Sequence, residues 1–249
     1  MSTTDAKSSA TSASEADDIN KWPPDLQRLK RNDPTLISLH ITVDHARSGR
    51  RGGCYCPRQT EDWQRLGDAI ATNTNVRRLA LNQIDLHGGE TFTLYMSQFL
   101  ENNTSLTSLS ATNYHLGVVG SCLLSYTLAR MSSSLTYLDL SSTVIGDEAC
   151  QELVMALRSG HLRLRSLELN GNTIQNAGCV AVASLLKNPN SMLIRLYVDN
   201  NSINDEGAMA LADGLTNNKC LKTLSIHGNT AITSRGYTLI STCHPVKGI

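Results

Sequence analysis

A leucine pattern returns along this chain at an almost constant interval. Leu135-x-x-Leu138-x-Leu140 recurs as Leu164-x-x-Leu167-x-Leu169, as Leu193-x-x-Leu196-x-Val198 and as Leu221-x-x-Leu224-x-Ile226. Upstream, Leu36-x-x-Leu39-x-Ile41, Val76-x-x-Leu79-x-Leu81 and Leu106-x-x-Leu109-x-Ala111 follow the same form. The seven starts, at 36, 76, 106, 135, 164, 193 and 221, are separated by 40, 30, 29, 29, 29 and 28 residues. A fixed period of this size means that every unit is the same small block of structure and meets its neighbour in the same way.

Each unit has two halves. The first alternates apolar and polar residues and reads as a short strand. The second spaces its apolar residues like a helix: Ala149, Cys150, Leu153, Ala156 and Leu157; then Val180, Ala183, Leu185 and Leu186; then Ala208, Leu211, Ala212 and Leu215. One strand and one helix of this length cannot close a core alone, but stacked neighbours bury a continuous one. The pattern therefore predicts an α/β solenoid with seven strands in one parallel sheet on the concave face and helices on the convex face.

The fuller motif, Leu164-x-x-Leu167-x-Leu169-x-x-Asn172-x-Ile174 followed by Ala177-Gly178, resembles the ribonuclease-inhibitor-like class of leucine-rich repeats, and Leu193 to Gly207 matches it equally, with Asn201 and Ile203. The resemblance runs from about Leu36 to His244. It implies a horseshoe fold. It leaves function open, because the class includes inhibitors, GTPase activators, immune-receptor sensor regions and cytoskeletal regulators. Ile84, Tyr114 and Thr143 occupy the Asn position in three units. An Asn there would satisfy backbone groups in the bend after the strand, so those bends are expected to be bonded differently.

Residues 1–20, rich in Ser, Thr, Ala and acids, read as a disordered tail. The repeat domain spans 21–249, with Leu26 and Leu29 opening a cap over the first unit and an insertion near 45–62 that includes Cys54 and Cys56. The final His244-Pro245-Val246-Lys247-Gly248-Ile249 offers no polar cap, so the end is expected to pack against a partner or to belong to a truncated chain.

Lys plus Arg and Asp plus Glu are both 22, which argues against a general nucleic-acid binder. Without a signal-type apolar run or a stretch long enough to span a bilayer, the expectation is a cytoplasmic monomer with no membrane association. The odd number of cysteines, seven, fits free thiols better than a disulfide framework. Cys150 and Cys179 read as small residues packed between helix and sheet, and Cys122 as a further core position. Cys54-Tyr55-Cys56, with His40 and His45 upstream, lacks the second well-spaced pair that a structural zinc site uses. No Walker, dinucleotide-binding, Gly-x-Ser-x-Gly or His-Glu-x-x-His motif occurs. The expectation is thus a protein without enzymatic activity, cofactor or metal.

The strand halves then point to a binding surface. Leucines turn inward and the residues between them face out. Aligned across units, the third positions are Ser38, Arg78, Ser108, Tyr137, Ser166, Arg195 and Thr223. The fifth are His40, Ala80, Ser110, Asp139, Glu168, Tyr197 and Ser225, and the seventh Thr42, Asn82, Thr112, Ser141, Asn170, Asp199 and His227. Tyr137, Asp139, Glu168, Arg195, Tyr197 and Asp199 form one candidate partner-binding patch, in which Tyr and Arg are effective anchors because they bury area and still make directional hydrogen bonds. A second candidate is the basic loop carrying Arg47, Arg50, Arg51 and Arg58. The leading expectation is a scaffold binding a protein partner through the concave surface. The alternative is regulation of a partner enzyme, as by a GTPase activator of the Ran type, although no loop here matches that family's functional motif and its acidic tail is missing.

Overall fold

The computed structural model describes residues 24–42, 60–82, 97, 100–113, 115–131, 135–159 and 163–243. Along them run α1 (Pro24–Lys30), β1 (Ser38–Thr42), α2 (Thr60–Thr72), β2 (Arg78–Asn82), β3 (Ser108–Thr112), α3 (Gly117–Arg130), β4 (Tyr137–Asp139), α4 (Asp147–Arg158), β5 (Ser166–Glu168), α5 (Asn176–Leu186), β6 (Arg195–Tyr197), α6 (Asp205–Leu215), β7 (Thr223–Ser225) and α7 (Ser234–Cys243). The strands make one sheet in sequence order, every pair parallel. Helix α1 packs on α2, and from α3 to α7 each packs on the next. The 1–20 tail, Cys54, Cys56, the basic loop and residues 244–249 lie outside the described residues. So does the candidate insertion, except for residues 60–62, which open α2.

The register brings identical repeat positions side by side. Leu39, Leu79, Leu109, Leu138, Leu167, Leu196 and Leu224 form one buried row. They belong to a continuous core that begins at Leu26 and Leu29 on α1 and ends at Ile240 on α7. Because strands in a ladder lie about 4.8 Å apart, each leucine fills the space beside the last and no unit has a core of its own.

Three further ladders of polar groups lock the units. At the bends after β3 to β7, Asn113, Ser142, Gly171, Asn200 and Gly228 take positive φ, from 52 to 70°. The amides of the first four donate to the next unit's carbonyls, at Ser141, Asn170, Asp199 and His227. Gly171 has a second reason to lack a side chain, since a Cβ there would lie 2.9 Å from Ser142 Oγ. One step further on, Asn172, Asn201 and Asn229 stitch consecutive bends. Asn201 Nδ2 donates to the carbonyls of Leu169, Val198 and Asp199, and its Oδ1 accepts the Ile174 amide. Thr143 is bonded differently, as its sequence position suggests: its hydroxyl donates to Leu140 O at 2.7 Å, and its amide is taken by Asn172 Oδ1. The next residue, Val144, is held at φ 61°, a conformation that costs a β-branched residue about 1–2 kcal/mol.

The third ladder joins helix starts. Asp147 Oδ1 accepts the amides of Gln175 and Gly178, Asn176 Oδ1 those of Asn204 and Gly207, and Asp205 Oδ1 that of Thr233. The N-termini of α5, α6 and α7 therefore each find an acceptor in the unit before, satisfying donors that a helix cannot pair internally. Val118 occupies this register position in α3, and no described residue accepts from the Gly146 or Ala149 amide at the start of α4.

Cys150 and Cys179 are buried, and burial pushes both thiols up to about 12, which suits packing and not reactivity. Cys122, expected in the core, is exposed on α3. It falls at the helix-surface position that Val180 and Met209 occupy in α5 and α6, also exposed.

Candidate partner-binding surface

The parallel register sets Tyr137 beside Ser166 and Ser166 beside Arg195. In the adjacent row Asp139, Glu168 and Tyr197 are direct neighbours. Five of the six candidate residues thus lie on β4, β5 and β6, and Asp199 follows β6. Tyr137, Asp139, Glu168, Tyr197 and Asp199 are partly buried and Arg195 is exposed. Ser166, expected to be open on the same face, is 1% exposed. The Arg195 Nε donates to its hydroxyl at 3.4 Å, and the large side chains on either side leave a small residue no access to solvent.

The two aspartates in the patch are held by neutral donors. Asp139 Oδ1 accepts from the Ser141 amide and hydroxyl at 3.0 and 2.7 Å, and its Oδ2 from Ser110 at 3.2 Å. Beside Glu168, the Tyr137 hydroxyl favours the carboxylate form. Asp199 Oδ1 accepts from Ser225 Oγ and the His227 amide, both at 2.6 Å. Burial, helped by nearby Asp139, raises the Glu168 carboxyl above its ordinary value against the opposing pull of Tyr137 and Arg195. Burial and the Asp139 and Glu168 charges also raise the Tyr137 phenol, so it remains a protonated donor across the working pH range.

The neighbourhood of Ser225, His227 and Asp199 has the composition of a hydrolytic triad but not its geometry. Ser225 Oγ lies 3.0 Å from His227 Nδ1, and Asp199 Oδ1 lies 3.7 Å from the same nitrogen. A proton relay needs hydroxyl and carboxylate on opposite ring nitrogens. Here both meet Nδ1, and Ser225 donates directly to the acid. The trio is a clamp that fixes Asp199 at the patch edge. Sequence reasoning left Ser225 and His227 out of the patch, although their alignment in the fifth and seventh positions was the available signal. His40 lies on β1, three ladder steps from Asp139. Among the described residues no three His, Cys, Asp or Glu side chains converge as metal ligands do, and no helix is long and apolar enough to cross a membrane.

A family profile described as Leucine Rich repeat matches residues 132–154, 164–183 and 190–212, the units that carry most of this patch. With the sheet, the asparagine ladder and the period, it makes the chain a leucine-rich-repeat protein. The structure of the leiomodin-1 actin-binding site 2 is similar at 16% identity, with 88% of this chain and 84% of that chain covered and a TM-score of 0.36. A chain from the yeast Rad7 and Elc1 complex is similar at 14% identity, with 73% and 57% covered and a TM-score of 0.37. No curated protein matches the sequence.

Proposed function

We propose that this protein is a non-catalytic interaction scaffold that binds a protein partner through the concave surface of β4, β5 and β6. The observation that carries this reading is the placement of Tyr137, Glu168, Arg195 and Tyr197 on adjacent strands of one rigid sheet. Over β2 and β3 the outward residues next to Arg78 are Ala80, Ser108 and Ser110, which offer little area to bury. Bends after β3, β4, β5 and β6 that are each bonded to the next unit hold these anchors in place before binding, which lowers the ordering cost of association.

The test begins with affinity capture and mass spectrometry to supply a partner, followed by alanine substitutions with folding checked by circular dichroism. Tyr137→Ala, Arg195→Ala and Tyr197→Ala are each expected to weaken binding about thirtyfold, the loss typical of an anchor. Normal binding by all three, with binding abolished on deleting residues 47–58, would place the contact on the basic loop instead.

A further inference from the structure

Among the described residues, the concave patch holds more acid than base. Asp139, Glu168 and Asp199 stand against one guanidinium, Arg195. The hydrogen bonds to Asp139 come from two hydroxyls and one backbone amide; those to Asp199 come from a hydroxyl and an amide. Arg195 spends its Nε on Ser166. His227, beside Asp199, is the remaining titratable neighbour. Neutral donors orient the two aspartates without cancelling their charge, so the face presents a fixed negative field over a partly desolvated floor, where a cation is held more strongly than in open water.

Glu168 is the centre of that field. It lies directly between Asp139 and Tyr197 in the ladder, and Tyr137 stands one strand away on the other row. Its neighbours therefore include two tyrosine rings, and aromatic faces attract cations as carboxylates do. The carboxyl's raised pKa has the same origin: its charge is incompletely solvated and gains from any cation brought against it.

Resting on the reading of this surface as a docking site, we infer that its occupant is a protein segment that sets a lysine or arginine against Glu168 between Tyr137 and Tyr197. Charge complementarity commits the face to a basic segment, since an acidic one would meet three carboxylates.

The test uses the full chain and an octalysine peptide as probe, with octaglutamate as control, followed by fluorescence anisotropy. The wild-type protein is expected to bind octalysine, more weakly as salt is raised, and to ignore octaglutamate. Glu168→Gln keeps an oxygen beside the Tyr137 hydroxyl and should weaken octalysine binding at least tenfold. Tyr197→Ala should weaken it about threefold, in keeping with a cation–ring contact. Glu152→Gln, an exposed acid on α4, should leave it unchanged. No octalysine binding, an unaffected Glu168→Gln variant, or an equal loss from Glu152→Gln would each overturn the inference. The captured partner separates the two ideas. If the tyrosine substitutions abolish partner binding while octalysine is ignored, the docking surface stands and its basic occupant falls. If octalysine depends on Glu168 while the partner is indifferent to Tyr137 and Tyr197, the cation site stands and the proposed function falls.

Discussion

The asparagine ladder makes a graded prediction, because its three members leave different groups unpaired when removed. In Asn201→Ala the carbonyls of Leu169, Val198 and Asp199 each keep another donor: Asn172 Nδ2, Asn229 Nδ2 and the Gly171 amide. Only the Ile174 amide is orphaned. In Asn172→Ala two amides, Thr143 and Ile145, lose their acceptor. In Asn229→Ala the amides of Asn201 and Ile203 and the carbonyl of Ile226 all lose their partner. Asn172, Asn201 and Asn229 are all buried, and a buried polar group stripped of its partner costs about 1–3 kcal/mol. The expected losses therefore start at about 1 kcal/mol for Asn201→Ala, about 2 for Asn172→Ala and about 3 for Asn229→Ala. Urea unfolding read by circular dichroism gives the order, with unchanged slope showing that the same structure is lost in each case. Amide exchange at Ile174, Ile145 and Ile203 then locates each orphan. Equal losses, or Asn201→Ala as the most damaging, would refute the counting of partners on which the prediction rests.

Leu167→Ala should destabilise by about 2–5 kcal/mol, since it empties a fully enclosed site between units. Ser166→Ala, buried but bonded only to the exposed Arg195, should cost under about 1 kcal/mol in the same unfolding experiment, because the guanidinium can turn to water. Val118→Asp should stabilise by about 1 kcal/mol, installing at the start of α4 the acceptor that Asp147 and Asp205 supply to later units; a lower melting temperature would show that the register argument fails there. Glu168→Gln should raise the melting temperature at pH 7. The folded-state pKa of Glu168 is raised, so the stability linked to its protonation is present below the unfolded value and lost as pH rises through the folded one. The difference between variant and wild type should close on acidification to pH 4, and a constant difference would remove burial of Glu168 as its cause.

The period of about 29 residues, the alternation in the strand half and the helical spacing after it were enough to determine a parallel solenoid, its inward leucine row and the alignment of outward residues. These are local patterns whose meaning does not depend on distant contacts. The six residues of the candidate patch could be brought together on paper for the same reason: in a solenoid, neighbours in space are residues one repeat apart. Other features depended on what the stacked units do to one another. Ser166 has the sequence position of an exposed residue, yet Tyr137 and Arg195 on the flanking strands shut it off from water. Cys122 reads as core because its helix is apolar on several sides, and only the direction in which α3 meets its neighbours turns it outward. Asn229 sits in the ladder although one extra residue separates it from Ile232, compared with Asn201 and Ile203, which masks the motif in the sequence. The chemistry of the patch was decided in the tertiary structure as well. Whether Asp139 and Asp199 meet lysines or serines is settled by which repeats lie alongside, and here Ser110, Ser141 and Ser225 donate to them.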